Sequence, residues 1–204
     1  MYTLYFIPGA CSLATQAIIN ELDQPVELID REDADNYNVL NPVGTVPVLI
    51  DQNQVLNEGV PIFLHLLDKH ENNLIARDGE DRHQAIENMV FANATVHPAY
   101  NRLFFAEGNI TNNEGKQQAF AAAAGAINKL WAAVEDKLQG QAYLGGDSVS
   151  PADFLLAVYS HWGQSYPVDI VIGPNTRKMI DAVISRDSFQ KALQRENDYR
   201  AVTT

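Results

Sequence analysis

The stretch NPVGTVPVLI, residues 41–50, places Pro47 directly before an apolar run of strand-forming residues. A proline has no amide hydrogen to donate to a neighbouring strand, so it marks the first residue of a strand or a turn. Because cis peptide bonds occur at prolines held in tight turns, we predict a cis bond between Val46 and Pro47. That geometry would turn the amide and carbonyl of Val46 outward, where they could pair with an extended peptide.

A second stretch, NEGVPIFLHL at residues 57–66, predicts the start of a helix. Its first residues include Glu58 and Gly59, and the free amides at such a start form a ready site for a carboxylate. Together with Val46 and Pro47, they predict a pocket for a small peptide that carries a free carboxylate. An acidic residue that only complements the helix dipole is the plainer explanation of Glu58.

A third stretch, PGACSL at residues 8–13, ends the first predicted strand. Apolar residues then recur at helical spacing, which places Cys11 and Ser12 in the loop or first turn of a helix. We expect the positive end of the helix dipole to lower the pKa of the Cys11 thiol. The alternatives are a buried apolar role for Cys11 and a simple helix cap for Ser12.

The order of the predicted elements defines an α+β fold class. We predict strands at residues 4–7, 25–29, 46–50 and 54–56, with helices at 13–22 and 60–69. This β-α-β-β-α order is typical of a thioredoxin-like domain. After a linker, the long segments are helical, at residues 81–105, 114–138, 150–159, 176–184 and 188–198. We therefore expect a thioredoxin-like domain at residues 1–75 and an all-α helical-bundle domain at 82–204.

The composition is that of a soluble globular chain. Its 204 residues carry a net charge of −12, with 46% hydrophobic and 20% charged residues, which disfavours nucleic acid and anionic membrane surfaces as partners. The start predicts no signal peptide, and no apolar segment approaches the ~18 residues that would span a bilayer. The single cysteine excludes an internal disulfide, and four of the five histidines lack metal-ligand spacing. We expect a cytoplasmic protein without a metal.

The three motifs, in this order and spacing, resemble those of the cytosolic glutathione transferases, and the Cys-Ser pair is similar to the bacterial beta class. The resemblance covers the first ~80 residues with specific motifs and continues more weakly to the end, as for a domain-sized unit. It implies a homodimeric enzyme with glutathione as co-substrate and a small hydrophobic electrophile. It also implies that Cys11 faces the glutathione sulfur, by hydrogen bonding or as a mixed disulfide, that Ser12 could supply the hydrogen bond instead, and that Glu58 faces the ammonium group.

His97 matches a beta-class histidine that faces the glutathione sulfur across the domain cleft. Pro98 follows where the family has a lysine, and because a proline removes a helical hydrogen bond, we expect a kink that aims His97 at the cleft or moves it away. The family's tyrosine at the end of the first strand falls at Phe6, which has no hydroxyl. The neighbouring Tyr5 is expected to face the opposite side of the sheet.

The second domain is expected to line the electrophile pocket with Tyr100, Phe104 and Tyr159. Two other functions stay open. A thiol–disulfide oxidoreductase on the same fold could use Cys11 and glutathione, by a monothiol route because a Cys-x-x-Cys pair is missing. A non-catalytic binding protein could have kept the fold without the chemistry. Asp153, near the start of a helix, is expected to cap it rather than to catalyse.

Overall fold

A four-stranded sheet lies at the centre of the first domain in the computed structural model, which describes the backbone of residues 1–203 and the side chains of residues 1–201. The strands are β1 (Tyr2–Phe6), β2 (Val26–Asp30), β3 (Val48–Asp51) and β4 (Gln54–Asn57). They lie in the order β2-β1-β3-β4, with β1 and β2 parallel and the other two pairs antiparallel. The predicted strands are confirmed, with bounds shifted by a residue or two.

The helices of this domain are α1 (Ser12–Glu21), α2 (Tyr37–Leu40) and α3 (Gly59–Lys69). α1 connects the parallel strands, the short α2 lies between β2 and β3, and α3 follows the β3–β4 hairpin, so the predicted thioredoxin-like order is confirmed. One face of α3 is fully buried, through Ile62, Phe63, Leu66 and Leu67. Burying each of these side chains contributes about 1.5–3 kcal/mol to folding.

The second part of the described chain is built from helices. They are α4 (Gly79–Phe91), α5 (His97–Asn109), α6 (Asn113–Lys137), α7 (Pro151–Tyr159), α8 (Pro174–Ile184) and α9 (Asp187–Thr203). The helix predicted over residues 81–105 is confirmed, since the helical backbone runs from Gly79 to Asn109, and a π-helical turn at Ala92–Val96 lies between α4 and α5. The all-helical character of this part is confirmed, and the limits of the two domains stay a prediction.

Pro98 explains where the long helix changes its form. A proline cannot donate to the carbonyl four residues back, and its ring pushes that carbonyl away. The carbonyl concerned belongs to Ala94, which lies inside the π-helical turn, so the wider turn makes room for the ring. The disruption predicted at His97 and Pro98 therefore takes the form of a π-helical turn just upstream, and His97 becomes the first residue of α5.

Asp153 holds the start of α7 from inside the core. Its carboxylate is fully buried and accepts hydrogen bonds from the N–H and Oγ–H of Ser150, both at 2.7 Å, and from the N–H of Leu144 at 3.0 Å. Burial raises the pKa of this carboxyl to about 6, a value that already includes the opposing effect of the three donors. The predicted capping role is confirmed.

The last helix, α9, packs against α1 and so returns to the first domain. Glu196 is 3% exposed and accepts hydrogen bonds from the side-chain amide of Gln16 and the N–H of Gly9, both at 2.7 Å. Asn20 donates to the carbonyl of Ser188 at 2.8 Å. Because Gly9 lies in the turn before α1, α9 fixes that turn from the second domain.

Candidate active site

The loop between α2 and β3 presents the backbone of Val46. The side-chain amide of Asn41 donates to the carbonyl of Thr45 at 2.8 Å, and the hydroxyl of Tyr37 donates to the same carbonyl at 2.7 Å. Gly44 has a φ of +77°, a left-handed conformation that glycine adopts without steric cost. These contacts fix the residue that immediately precedes Val46.

Val46 and Pro47 form the cis peptide bond that the sequence predicted. Within the described part of the chain, the N–H of Val46 has no hydrogen-bond partner. The Val46 carbonyl accepts a hydrogen bond from the thiol of Cys11, with 3.3 Å between sulfur and oxygen. The only cysteine of the chain therefore lies where an extended peptide would pair with Val46.

The start of α3 lies at the same edge of the sheet. Val48, at the start of β3, pairs with Asn57, at the end of β4, so Val46, before β3, and Glu58, after β4, lie at the same end of this strand pair. Glu58 is exposed, with a φ of +72°, and its side chain makes no capping hydrogen bond. The first amides of α3, beginning with Gly59, therefore remain open to a carboxylate.

The second domain adds Asn93, which the sequence analysis missed. A Cβ added to the buried Gly59 would lie 3.3 Å from Oδ1 of Asn93, so this side-chain amide borders the start of α3. Asn93 belongs to the π-helical turn before α5. No motif marks this residue in the sequence, since only the packing of the two domains brings it to the site.

Cys11 immediately precedes α1 and is 9% exposed. The pKa of its thiol is raised to about 11. Burial is the main cause and the charge of Glu58 adds to the rise, while the backbone amides of Cys11 and Ser12 oppose it. The predicted lowering of this pKa is therefore wrong for the protein without a ligand, because the loss of water outweighs the helix amides. At neutral pH the thiol keeps its hydrogen and acts as a donor.

Ser12 closes the turn between β1 and α1. It is fully buried, and its hydroxyl donates to the carbonyl of Ile7 at 3.3 Å and accepts the N–H of Ile7 at 3.4 Å. The hydroxyl is thus engaged with the turn in both directions. This placement offers Ser12 no direct contact with a ligand.

The end of β1 follows the predicted alternation. Phe6 is 1% exposed and faces the interior. Tyr5 lies on the other face of the sheet, with its ring 5.5 Å from that of Tyr37. Neither residue brings a phenol hydroxyl to Cys11 in the described structure.

His97 packs within an aromatic cluster beside the turn that carries Cys11. Its ring centroid lies 4.8 Å from that of Trp162 and 5.2 Å from that of Tyr159. Burial lowers the pKa of His97, so the imidazole is neutral at neutral pH. Trp162, which the sequence analysis missed, donates its indole N–H to the carbonyl of Gly9 at 2.8 Å. The histidine is thereby connected through Trp162 to the Cys11 turn.

Trp162, Phe104 and Tyr166 form an aromatic wall. Phe104 is 37% exposed, and its ring lies 5.6 Å from Trp162 and 5.9 Å from Tyr166. Tyr100, by contrast, is fully buried, and its hydroxyl accepts the indole N–H of Trp131 at 2.8 Å. Phe104 can therefore meet a ligand, whereas Tyr100 and the equally buried Tyr159 support the wall from behind, which corrects the expectation that these two tyrosines line the pocket directly.

One cluster of an acidic group and an imidazole away from this site is a paired surface cluster. Asp51 contacts His65 at 2.7 Å and also pairs with Lys69. In the described residues, no group of three or more His, Cys, Asp or Glu side chains is arranged to hold a metal ion. Nor does the described chain contain a helix long and apolar enough to cross a membrane.

Fold and site together define a two-domain protein with a thioredoxin-like first domain and an all-helical second domain. The sequence pattern of the glutathione S-transferase N-terminal domain matches residues 13–74, and that of the glutathione S-transferase C-terminal domain matches residues 87–187. The chain belongs to the glutathione S-transferase family.

Individual relatives agree along nearly the whole chain. A glutathione S-transferase of Xanthomonas campestris is 29% identical over 199 residues, covering 95% of this chain and 98% of that protein. A sphingomonad glutathione S-transferase, solved in complex with glutathione, is 28% identical, with a TM-score of 0.84 over 96% of this chain and 98% of that one. A beta-class glutathione S-transferase of Sphingomonas chungbukensis is 27% identical, with a TM-score of 0.83 over 95% of this chain and 98% of that one. The predicted likeness to the bacterial beta class is confirmed.

Proposed function

We propose that this chain binds reduced glutathione along the Val46 loop and conjugates it, through its sulfur, to a small hydrophobic electrophile. The cysteinyl part of glutathione pairs with the backbone of Val46, and the γ-glutamyl carboxylate lies on the amides at the start of α3. The ammonium group lies near Glu58. Arg31, whose guanidinium donates to the carbonyl of Gly44 at 3.1 Å, is a cation beside the same loop for the glycyl carboxylate.

One observation carries this proposal: the only thiol of the chain lies 3.3 Å from the carbonyl of Val46. A peptide that pairs with Val46 brings its central side chain next to Cys11, and in glutathione that side chain is a thiol. Because Cys11 keeps its hydrogen at neutral pH, its S–H can donate to a glutathione thiolate. Each unit by which hydrogen-bond donors lower the pKa of the glutathione thiol corresponds to ~1.4 kcal/mol of preference for the thiolate.

The second domain supports the transfer step. His97 packs on Trp162 beside the Cys11 turn, and its neutral imidazole can accept the proton that the glutathione thiol releases. The aromatic wall of Trp162, Phe104 and Tyr166 offers an apolar surface for the electrophile. An apolar surface beside the proposed glutathione site favours a transferase over a protein that binds glutathione alone.

The burial of Cys11 favours conjugation over thiol–disulfide exchange. A disulfide is attacked by a thiolate, and a thiol with a pKa of about 11 supplies very little thiolate at neutral pH. A hydrogen-bond donor, in contrast, must keep its hydrogen. The state of Cys11 in the free protein therefore suits the stabilisation of another thiolate, with no metal required.

We further propose that the chain forms a homodimer, as the family resemblance implies. Large apolar side chains of the second domain are available for such contact, since Val90 on α4 is 45% exposed and Phe105 on α5 is 63% exposed. Analytical ultracentrifugation checks this assembly. A monomer at micromolar concentration would contradict it.

Retention on immobilised glutathione, followed by two assays on the eluted protein, tests the proposed function. We expect specific elution by free glutathione and conjugation of glutathione to an aryl halide such as 1-chloro-2,4-dinitrobenzene. Reduction of a mixed disulfide without conjugation would instead indicate the oxidoreductase, and retention without either activity would indicate a binding protein. A chain that is neither retained nor active would refute the glutathione site.

A further inference from the structure

The hydroxyl of Tyr159 is a buried polar group that the proposed function does not use. Tyr159 is fully buried, and its hydroxyl has no hydrogen-bond partner among the described residues. An unpaired hydroxyl in the interior destabilises a folded chain, so buried hydroxyls are normally bonded. A partner that becomes available in another state of the site would explain its presence.

The position of Tyr159 indicates which partner this is. Tyr159 is the last residue of α7, which packs against α1, the helix that Cys11 precedes. Its ring lies 4.5 Å from that of Trp162, whose indole N–H holds the carbonyl of Gly9. It also lies 5.2 Å from the ring of His97. Tyr159 is therefore connected through Trp162 to the turn that carries Cys11.

Electrostatics connect the same two groups. Burial raises the pKa of Tyr159 well above its usual range, and the negative charge that Cys11 would carry as a thiolate raises it further. The phenol consequently keeps its hydrogen wherever Cys11 begins to ionise, and toward the thiolate, which has no hydrogen to give, it acts as the donor.

We propose that Tyr159 is a positioning residue that donates its buried O–H to the sulfur of Cys11 and so helps this sulfur to bear negative charge. In the free protein the Cys11 thiol donates to the carbonyl of Val46 at 3.3 Å. A peptide ligand that pairs with this carbonyl competes with the thiol and frees it to turn toward the ligand. The sulfur of Cys11 then needs a donor of its own, and Tyr159 supplies one.

This role deepens the proposed function and rests on it for the ligand, whereas the pairing of Tyr159 with Cys11 can be measured without glutathione. Other groups also act on the Cys11 sulfur. Glu58, at the start of α3, opposes its ionisation, and the backbone amides of Cys11 and Ser12 favour it. His97, from α5, is neutral in this environment. Because only residue 159 is changed, the effects of Glu58, the backbone amides and His97 on the Cys11 thiol stay the same in the variant.

The experiment measures the alkylation rate of Cys11 by iodoacetamide over a pH series, followed by intact mass. Since the chain has one cysteine, the label reports on that thiol alone. Tyr159→Phe removes only the hydroxyl and is expected to slow alkylation about fivefold to tenfold at each pH below the pKa of the thiol. Tyr143→Phe is the matched control, because Tyr143 lies beside Glu21 at the far end of α1, and it is expected to react like the wild type.

The direction of the change separates this role from a structural one. Looser packing in Tyr159→Phe would expose the thiol and accelerate alkylation, which would overturn the inference. An unchanged rate would also overturn it and would assign the hydroxyl to the interface of α1 and α7, where Oγ1 of Thr15 is likewise unpaired among the described residues. If iodoacetamide does not label the native protein at all, the Cys11 sulfur is out of reach of a ligand, and the inference is overturned as well. Failure of the wild type to bind glutathione refutes the proposed function separately.

Discussion

Glu196 allows a direct test of how a buried carboxyl sets the stability of this chain. It is 3% exposed on α9, where its two oxygens accept the N–H of Gly9 and the side-chain amide of Gln16, both at 2.7 Å. Burial raises its pKa to about 7, although these two donors and the charge of Arg200 lower it, and Asp30 adds to the rise. The carboxyl is therefore mostly protonated in the folded chain at pH values where the unfolded chain has ionised it.

The sign and size of the effect follow from this difference. A carboxyl with a higher pKa in the folded state gives its full stabilisation below its unfolded pKa and loses it as the pH rises to the folded value. Between the ordinary value of 4.5 and about 7, unfolding releases a proton from Glu196. At ~1.4 kcal/mol for each pH unit, the loss amounts to on the order of 3 kcal/mol of unfolding free energy.

Glu196→Gln removes the titration and keeps the shape. The new amide can accept the N–H of Gly9, and it can donate to Oε1 of Gln16, which has no partner among the described residues, once the Gln16 amide turns over. We expect urea unfolding to show nearly equal stability of wild type and variant near pH 4.5, with the variant gaining on the order of 3 kcal/mol by about pH 7. Glu80→Gln, at an exposed position in the first turn of α4, is the control and should parallel the wild type. Parallel curves for Glu196→Gln and wild type would refute the reasoning.

Three other substitutions test separate parts of the structure. Asp153→Ala removes the buried cap of α7 and should lower the free energy of unfolding by about 2–4 kcal/mol, so a loss below ~1 kcal/mol in urea unfolding would count against the cap. Trp162→Phe keeps a ring in the aromatic wall but removes the hydrogen bond to the carbonyl of Gly9, and it should cost about 1 kcal/mol in the same assay; unchanged stability would show that this bond contributes nothing. Glu58→Gln should weaken glutathione binding about tenfold in calorimetry, because a charged partner of the ammonium is lost, whereas Glu80→Gln should not. Equal affinities of these two glutamine variants would place the γ-glutamyl group elsewhere.

The features of this site that could be predicted from sequence depend on local rules. Pro47 before an apolar run was enough to predict the cis bond to Val46, because only a proline makes that bond common. Alternation along β1 was enough to place Tyr5 and Phe6 on opposite faces. Pro98 predicted a disruption of its helix, but a local rule does not choose between a sharp kink and the observed π-helical turn.

The features that could not be predicted depend on distant segments meeting in space. The helix dipole argument for Cys11 was correct in sign, but it was outweighed by burial, which packing of the folded domain produces. Trp162 and Asn93 reach the site only because the second domain packs against the first, and neither belongs to a motif. The hydroxyl of Ser12 was available to the site by sequence, yet the turn at Ile7 uses it.

The placement of Cys11 at the sulfur of a bound glutathione is tested most directly by intact mass after incubation of the native protein with oxidised glutathione. The small thiolate fraction of Cys11 attacks the disulfide, forms one mixed disulfide and releases one glutathione thiolate; because the pKa of this thiol is about 11, the reaction is slow and is followed over a long incubation at alkaline pH. S-methylglutathione, which can fill the site but offers no disulfide, is the competitor. This placement predicts one glutathionyl group per chain, removed by a reductant, absent from Cys11→Ala and slowed by the competitor. An adduct that forms only after unfolding, or at the same rate with the competitor present, would contradict it.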